Sequence, residues 1–150
     1  MTLRFPYRPL SQPHPIVPLG GRRERPRPLI DVTVIGPSDS RLREGLLDSG
    51  ADDTVFPETL AAVLGVDLSN APTGRAGTPA GAIFPIRARV GMRITDGIEQ
   101  REWHAWVGFT PVKLSYSLLG FAGFLQFFDT NLRGALEVAE LTVNNSYPGT

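Results

Sequence analysis

The chain has 150 residues, of which 41% are hydrophobic and 20% charged, a balance typical of a globular domain rather than of a disordered or fibrous chain. Its fifteen basic and fifteen acidic residues cancel, so net charge gives no reason to expect a nucleic acid or a membrane surface as partner. The absence of cysteine excludes a disulfide framework, a thiolate metal site and a cysteine nucleophile, and two histidines do not favour a metal centre, so no cofactor is expected.

The first 28 residues differ in composition from the rest. They hold six arginines, one acidic residue and seven of the fourteen prolines. Because proline lacks an N–H and fixes φ, this density disfavours a helix or an interior strand. The sequence therefore predicts an extended or mobile arm over residues 1–26, a domain over residues 27–141 and a tail over residues 142–150. The arm lacks the continuous apolar stretch of a secretory signal, and we expect a cytoplasmic protein.

Alternation of apolar and polar residues follows the arm. Leu29–Ile35 alternates and is rich in β-branched side chains, which predicts a strand, and Arg43–Leu47 is predicted to return after a turn. Pro57–Leu64 predicts a short helix that ends at Gly65. The remaining predicted elements are strands at Ile83–Ile94, Trp103–Phe109, Gln126–Asp129 and Ala135–Glu140 and a helical turn near Phe121–Leu125. Together they indicate a mainly β, closed or barrel-like domain with short helices.

Asp48 is the candidate for acid–base chemistry. Leu46 and Leu47 precede it, so a buried strand is predicted to deliver its carboxylate straight into a turn. Gly50 lets the backbone bend closely enough for an N–H to reach the carboxylate, and Ser49 offers a hydroxyl to a neighbouring chain. A charge placed there is costly unless it is hydrogen-bonded or shared, and acid–base catalysis requires such a placement. The alternative is that Asp48 only braces a turn or caps a helix.

The surroundings of Asp48 resemble the active-site segment of the retroviral-type aspartic proteases, the retropepsins. Gly45–Val55 reads Gly-Leu-Leu-Asp-Ser-Gly-Ala-Asp-Asp-Thr-Val. Arg27–Ile30 resembles the Arg-Pro-Leu entry to the family's first strand. Leu118–Gly120 is similar to its second apolar-apolar-Gly element, which crosses beneath the catalytic loop. The glycine-rich stretch 74–81 lies where the family has its flap hairpin, and the resemblance as a whole runs over residues 27–141.

The resemblance implies a closed β-barrel of the acid protease fold, with one lobe per chain, and an aspartic endopeptidase acting on peptide or protein substrates. Two aspartates within hydrogen-bonding distance share one proton, so one activates a water and the other donates to the scissile carbonyl. Because the chain has a single Asp-Ser-Gly, the second Asp48 has to come from a symmetry-related copy. A homodimer is therefore expected, with paired Ser49 hydroxyls linking the two loops. The alternative is a non-catalytic dimeric module of the same fold that binds peptides.

The resemblance also implies roles for the residues that follow Gly50. Ala51, Asp52 and Asp53 are expected to bind substrate, and Asp52 also to support the dimer. Arg27 resembles the arginine that pairs across the dimer with an aspartate in the position of Asp52. A solvated acidic loop and a surface arginine are the simpler interpretations.

The flap tip is expected at Gly77, Thr78 and Gly81. Glycines there permit a hairpin that opens for substrate and offers a backbone N–H to it when closed. A plain surface loop is the other interpretation of this stretch.

One departure from the family pattern concerns the dimer. After the second apolar-apolar-Gly the family commonly has arginine followed by Asn or Asp, whereas this chain has Phe121 and Ala122. That arginine normally ties the terminal helix to the active-site loop and to the dimer. Apolar packing by Phe124, Leu125 and Phe127 is one expected substitute for this ionic link, and a weak dimer is the other possibility.

Overall fold

Strands make up most of the secondary structure, as the alternating sequence predicts. The computed structural model describes all 150 residues, Met1–Thr150. One α-helix, α1 (Glu58–Leu64), and two 3-10 turns, Val17–Leu19 and Leu125–Phe127, accompany the strands. The strands are β1 (Thr2–Pro6), β2 (Arg8–Ile16), β3 (Arg22–Arg27), β4 (Leu29–Ile35), β5 (Ser40–Leu47), β6 (Val55–Pro57), β7 (Ala76–Thr78), β8 (Gly81–Ile83), β9 (Ile86–Thr95), β10 (Gln100–Thr110), β11 (Ser117–Leu119), β12 (Phe128–Arg133) and β13 (Val138–Val143).

Six strands close into a barrel in the order β10-β6-β11-β5-β4-β9. The pairs β4–β5 and β9–β10 are antiparallel hairpins, whereas β6 runs parallel to β10 and β11 runs parallel to β5. Alternate residues of β4, namely Ile30, Val32 and Val34, are fully buried, which is the period-two pattern of a strand with one face on the core. The predicted mainly β, closed barrel is confirmed.

An aromatic cluster joins the C-terminal strands to the barrel. Trp103 of β10 packs edge-on against Phe124, Phe128 and Tyr147, with ring centroids 5.5, 5.3 and 5.9 Å away. Its indole N–H donates to the carbonyl of Gly123 at 3.1 Å, so the buried ring has no unsatisfied polar group. Residues 142–150, expected to form a tail, thus contribute the end of β13 and a ring of this cluster.

Residues 1–26 are extended, as expected, but they belong to sheets rather than to a mobile arm. Strand β1 pairs antiparallel with β13, and Leu3 and Phe5 are buried in the main core. Strands β2 and β3 pair with each other alone, so four of the seven prolines (Pro9, Pro13, Pro15 and Pro26) lie in a two-stranded sheet in which every residue is on an edge. Edge positions tolerate proline because one side of the strand needs no N–H donor. Arg8 fastens this hairpin to the barrel through a 2.9 Å ion pair with Asp31.

Element boundaries agree closely near the N-terminal end of the barrel and shift towards the C-terminus. Helix α1 matches the prediction and ends at Gly65, whose left-handed φ of 75° caps it. The predicted strand Ile83–Ile94 is interrupted between β8 and β9. Strands β12 and β13 start later than predicted, because Leu125–Phe127 forms a 3-10 turn and the following hairpin turns at Glu137, with φ 51°.

None of the helices in this chain has the length and apolar character that a membrane span requires.

The first prediction concerns residues 1–26. Leu3→Ala removes a fully buried side chain from the main core, so we expect the free energy of unfolding to fall by about 2–5 kcal/mol. Val17→Ala is the matched control within the same segment, since Val17 is 85% exposed and its truncation leaves the midpoint nearly unchanged. Urea denaturation measures both. Equal midpoints for Leu3→Ala and wild type are the result expected of a mobile arm and contradict the packing described.

Candidate active site

Strand β5 ends at Leu47 and places Asp48 at the start of a loop, residues 48–54. We call it the catalytic loop after the retropepsin segment that its sequence resembles. Asp48 is half-buried, while Ser49 and Gly50 are exposed. The Gly50 N–H donates to Asp48 Oδ1 at 2.9 Å, as the motif predicts. The other oxygen, Oδ2, has no hydrogen-bond partner within the chain. One side of the carboxylate therefore orders the turn, and the other remains available for chemistry.

The segment from β11 to Ala122 supports the catalytic loop from the opposite side. Strand β11 lies parallel to the end of β5, with Leu119 beside Leu47. The Asp48 N–H donates to the Leu119 carbonyl at 3.1 Å, and the Ala51 carbonyl accepts from the Phe121 N–H at 3.0 Å. Two further bonds tie Ala122 to the main chain of the loop, one at Asp52 and one at Thr54, each 2.9 Å long.

Gly120 lies at the closest approach between these two segments. A side-chain carbon there would lie 2.3 Å from the carbonyl oxygen of Asp53 and 2.6 Å from that of Ala51. Real carbon–oxygen contacts are never so short, so only glycine lets the second segment pass beneath the loop. The sequence motif Leu118-Leu119-Gly120 therefore has a structural reason. The two leucines pair with the parallel strand β5, and the glycine, which has no side chain, lets the segment cross beneath the loop.

Strands β7 and β8 form a hairpin over the catalytic loop. Its turn comprises Thr78–Gly81, and the Thr78 hydroxyl donates to the Gly81 carbonyl at 2.6 Å. Gly81 has a φ of 116°, which a residue with a side chain rarely adopts. The expected tip residues therefore belong to the turn or lie next to it. Pro79, which sequence analysis did not name, lies over Gly50, since a side-chain carbon at Gly50 would be 3.1 Å from its Cγ.

Asp52 connects the catalytic loop to this hairpin. Its N–H donates to the Gly77 carbonyl at 2.9 Å, and the Gly77 N–H donates to Asp52 Oδ2 at 2.6 Å. The side chain of Asp52 is exposed, whereas that of Ala51 is buried. Of the two, it is Asp52 that presents polar groups to the space between loop and hairpin.

Asp53 is bound to an arginine that sequence analysis missed. Arg87 donates through Nε at 3.0 Å and Nη2 at 2.7 Å to Asp53 Oδ2, and both side chains are mostly buried. Arg87 is the second residue of strand β9, which follows the hairpin. The partners are 34 positions apart and Arg87 fits the ordinary alternation of its strand, so no local signal identifies the pair.

Arg27 ends strand β3 and is not paired with Asp52 in the monomer. No carboxylate lies within 4.0 Å of its guanidinium, and its Nε is buried without a hydrogen-bond partner. The expected pairing across a dimer stays a prediction.

An apolar surface lies beside Ser49, and we call it the Ser49 face. It surrounds a cavity of about 300 Å³ without a charged side chain. Phe121 projects from it with 62% of its surface exposed, and β12 forms its outer part as the edge strand of a sheet. A larger cavity, about 580 Å³, lies near the start of α1 and contains no residue of the catalytic loop. The lining residues of the Ser49 face are Leu47, Ser49, Phe121, Leu125, Phe128, Thr130 and Leu132.

The residues expected to replace the family's arginine are divided between core and surface. Phe124 and Phe127 are buried in the main core, and their role as an apolar substitute for that ionic link stays a prediction. Leu125 lies on the Ser49 face. The 3-10 turn at Leu125–Phe127 is the reason, because it directs the two flanking rings towards Trp103.

Comparison of the chain with protein-family models, with curated protein sequences and with solved structures gave no match. The function is therefore argued from the geometry of the catalytic loop, the hairpin and the Ser49 face.

The second prediction concerns the crossing at Gly120. Gly120→Ala forces two carbonyl groups of the catalytic loop to move, and we expect it to lower the free energy of unfolding by about 3 kcal/mol. Gly134→Ala is the matched control, because nothing lies within 4 Å of the added carbon. Thermal unfolding compares the two variants. A Gly120→Ala protein as stable as the control disagrees with the contact geometry.

Proposed function

We propose that this chain is one half of a homodimeric aspartic endopeptidase of retropepsin-like fold, with Asp48 of each copy at the centre of the active site. The observation that carries the proposal is the carboxylate itself. It stands directly after Leu47, the buried end of strand β5, and is held through one oxygen by the Gly50 N–H. A glycine-rich hairpin contacts its loop at Gly50 and Asp52. An aspartate that only braced a turn would need neither the supporting segment below nor the hairpin above.

The mechanism follows from bringing two such carboxylates together. At hydrogen-bonding distance two negative charges are costly, so the pair retains one proton. The charged Asp48 removes a proton from a water as the water oxygen attacks the scissile carbonyl carbon, and the protonated Asp48 donates its proton to the carbonyl oxygen. The Asp48 that took the water proton then donates it to the amide nitrogen, while the other Asp48 removes a proton from a hydroxyl of the tetrahedral diol. The C–N bond breaks, an acid and an amine leave, and the pair again holds one proton.

The stoichiometry and the surface next to Ser49 support a second copy as the partner. The chain contains one Asp-Ser-Gly, so a single chain supplies half of the pair. A two-fold axis beside Asp48 brings each Ser49 face against its mate, since the same patch meets itself in such an interface. The face is apolar and uncharged and carries an exposed phenylalanine, the composition typical of an interface core. Apolar burial thus takes the place of the family's arginine.

Substrate is proposed to bind as an extended peptide between the catalytic loop and the hairpin. Asp52 offers an N–H and a carboxylate to its main chain, and the hairpin offers main-chain groups from the other side. Asp53 is neutralised by Arg87 and so contributes shape and polarity rather than a free charge. Because main-chain hydrogen bonds do not depend on the peptide's side chains, such recognition accepts many peptide sequences, and the pockets for side chains select among them.

A non-catalytic peptide-binding dimer is the second candidate. The specific observation in its favour is that Phe121 stands where the family has the arginine that organises the loop and the dimer. Such a protein would bind the same extended peptides and leave them intact.

The third prediction separates these candidates. Wild-type protein is incubated with a mixed peptide library at mildly acid pH, and products are identified by mass spectrometry. Asp48→Asn keeps the shape of the side chain but removes the shared proton, so we expect cleavage to fall about 10³-fold or more. Asp39→Asn, in the turn before β5, is the control and retains full cleavage. Cleavage that survives Asp48→Asn rules out the proposed mechanism, and a folded dimer that binds but never cuts supports the second candidate.

The fourth prediction concerns the Ser49 face. Phe121→Asp places a charge in the proposed interface, and we expect the dimer dissociation constant to rise at least about tenfold. Ile98→Asp is the control, because Ile98 is 87% exposed in the β9–β10 turn, away from the face. Sedimentation velocity over a concentration series measures both constants. Equal constants for Phe121→Asp and wild type show that association uses another surface.

A further inference from the structure

The hairpin and the catalytic loop satisfy each other's polar groups in the free chain. Gly77 pairs with Ala82 across the hairpin, yet its N–H and its carbonyl are both bound to Asp52. Asp52 in turn uses its only N–H and one carboxylate oxygen on Gly77. The two bonds are 2.9 and 2.6 Å long. They resemble the exchange between opposed residues of an antiparallel strand pair, except that the side-chain carboxylate of Asp52 takes the place of a main-chain carbonyl.

We propose that the β7–β8 hairpin is an autoinhibitory latch, in which Gly77 occupies the position at Asp52 that the main chain of an extended peptide takes when substrate binds. A peptide lying along the loop presents one N–H and one carbonyl to Asp52, the same two groups that Gly77 presents. Asp52 has one N–H to donate, so the peptide and Gly77 compete for it. The inhibitory effect on peptide binding rests on the proposed function, whereas the contact between Gly77 and Asp52 does not depend on it.

The two ends of the hairpin are held with different strength. Its base is fixed where Arg87 donates two charge-assisted hydrogen bonds to Asp53, in a setting that is mostly buried. Its outer part is held by the two bonds to Asp52, whose side chain is exposed, and by the contact of Pro79 with the loop at Gly50. Opening of the latch therefore releases Asp52 and leaves the pair at Asp53 intact.

Position 77 is shaped for this contact. A side-chain carbon there would lie 2.8 Å from Asp52 Oδ2, too close for the hydrogen bond to persist. Because that oxygen is the mobile end of a side chain, Gly77→Ala pushes the carboxylate aside without disturbing a backbone. The variant thus removes the bond to Asp52 Oδ2 from the side of the hairpin, and Asp52→Ala removes the same bond from the side of the loop. The main-chain bond from residue 52 to the carbonyl of residue 77 remains in both, so each variant weakens the latch.

Hydrogen exchange at the amide of position 77 tests the latch without any enzyme assay. Two exposed hydrogen bonds correspond to about tenfold in the ratio of closed to open forms, so we expect that amide to exchange about tenfold more slowly than in an unstructured peptide. NMR exchange on the full chain gives this rate residue by residue. In Asp52→Ala and in Gly77→Ala the slowing is expected to disappear, whereas Gly134→Ala keeps it.

Two results overturn the latch. One is a position-77 amide that exchanges freely in the wild type, and the other is protection that survives in Asp52→Ala. Since Asp52 is exposed, its truncation is expected to leave the unfolding midpoint unchanged. Gly77→Ala supplies an independent answer in case Asp52→Ala is poorly folded.

Peptide affinity measures the consequence of the latch. In the Asp48→Asn background, a fluorescent hexapeptide with a sequence cleaved by the wild type binds without turnover. A latch closed about tenfold by two bonds reduces its affinity by the same factor. Gly77→Ala removes one of the two bonds, so adding it is expected to tighten binding about threefold, whereas adding Gly134→Ala leaves binding unchanged. Unchanged or weaker binding with Gly77→Ala overturns the inhibitory role. If the wild type cleaves no peptide, the proposed function fails, and the exchange rates alone decide whether the latch exists.

Discussion

The structure depends on the main-chain coupling between the catalytic loop and the segment from Leu119 to Ala122. The loop has no regular secondary structure of its own, and four hydrogen bonds to that segment fix its path. A loop left to itself samples many conformations and holds a carboxylate poorly, because each free backbone dihedral costs entropy to fix. Here folding of the barrel already orders the backbone on both sides, since β5 and β11 lie side by side and lead directly into the two segments. Gly120 makes the arrangement sterically possible.

The polar groups around Asp48 fall into a rigid set and a releasable set. The rigid set is made of main-chain bonds beneath the loop and the mostly buried pair of Asp53 with Arg87. The releasable set is made of exposed bonds between Asp52 and the hairpin. Water competes with exposed hydrogen bonds and leaves each a small net contribution, so these break first. This division is what a site needs if it is to admit a peptide and still keep its carboxylate in place.

The Ser49 face shows how one substitution changes the physics proposed for assembly. An arginine after Gly120 would join two copies through charge, which salt screens and which needs a precise partner. Phe121 and its apolar neighbours offer burial instead, which is insensitive to direction and proportional to area. An interface of this kind tolerates small changes of angle between the two copies. In the proposed dimer, the position of the two Asp48 side chains would then depend mainly on the Ser49 residues and the main chain nearest the two-fold axis.

The sequence alone determined the features that repeat over short distances. Period-two alternation located β4 and most of β9 and β10 in the barrel, Gly65 located the end of α1, and Asp48-Ser49-Gly50 located the turn with its internal hydrogen bond. Only the tertiary structure decided how residues 1–26 fold, because β1 takes its partner from β13, with Thr2 and Thr142 in contact 140 positions apart. It also decided that Phe124 faces the core and Phe121 the solvent, since residues 121–127 form turns and have no alternation that predicts burial. The pairing of Asp53 with Arg87 was likewise decided by the tertiary structure. The fold brings together two residues that are far apart in the sequence, and no local sequence pattern indicates their contact.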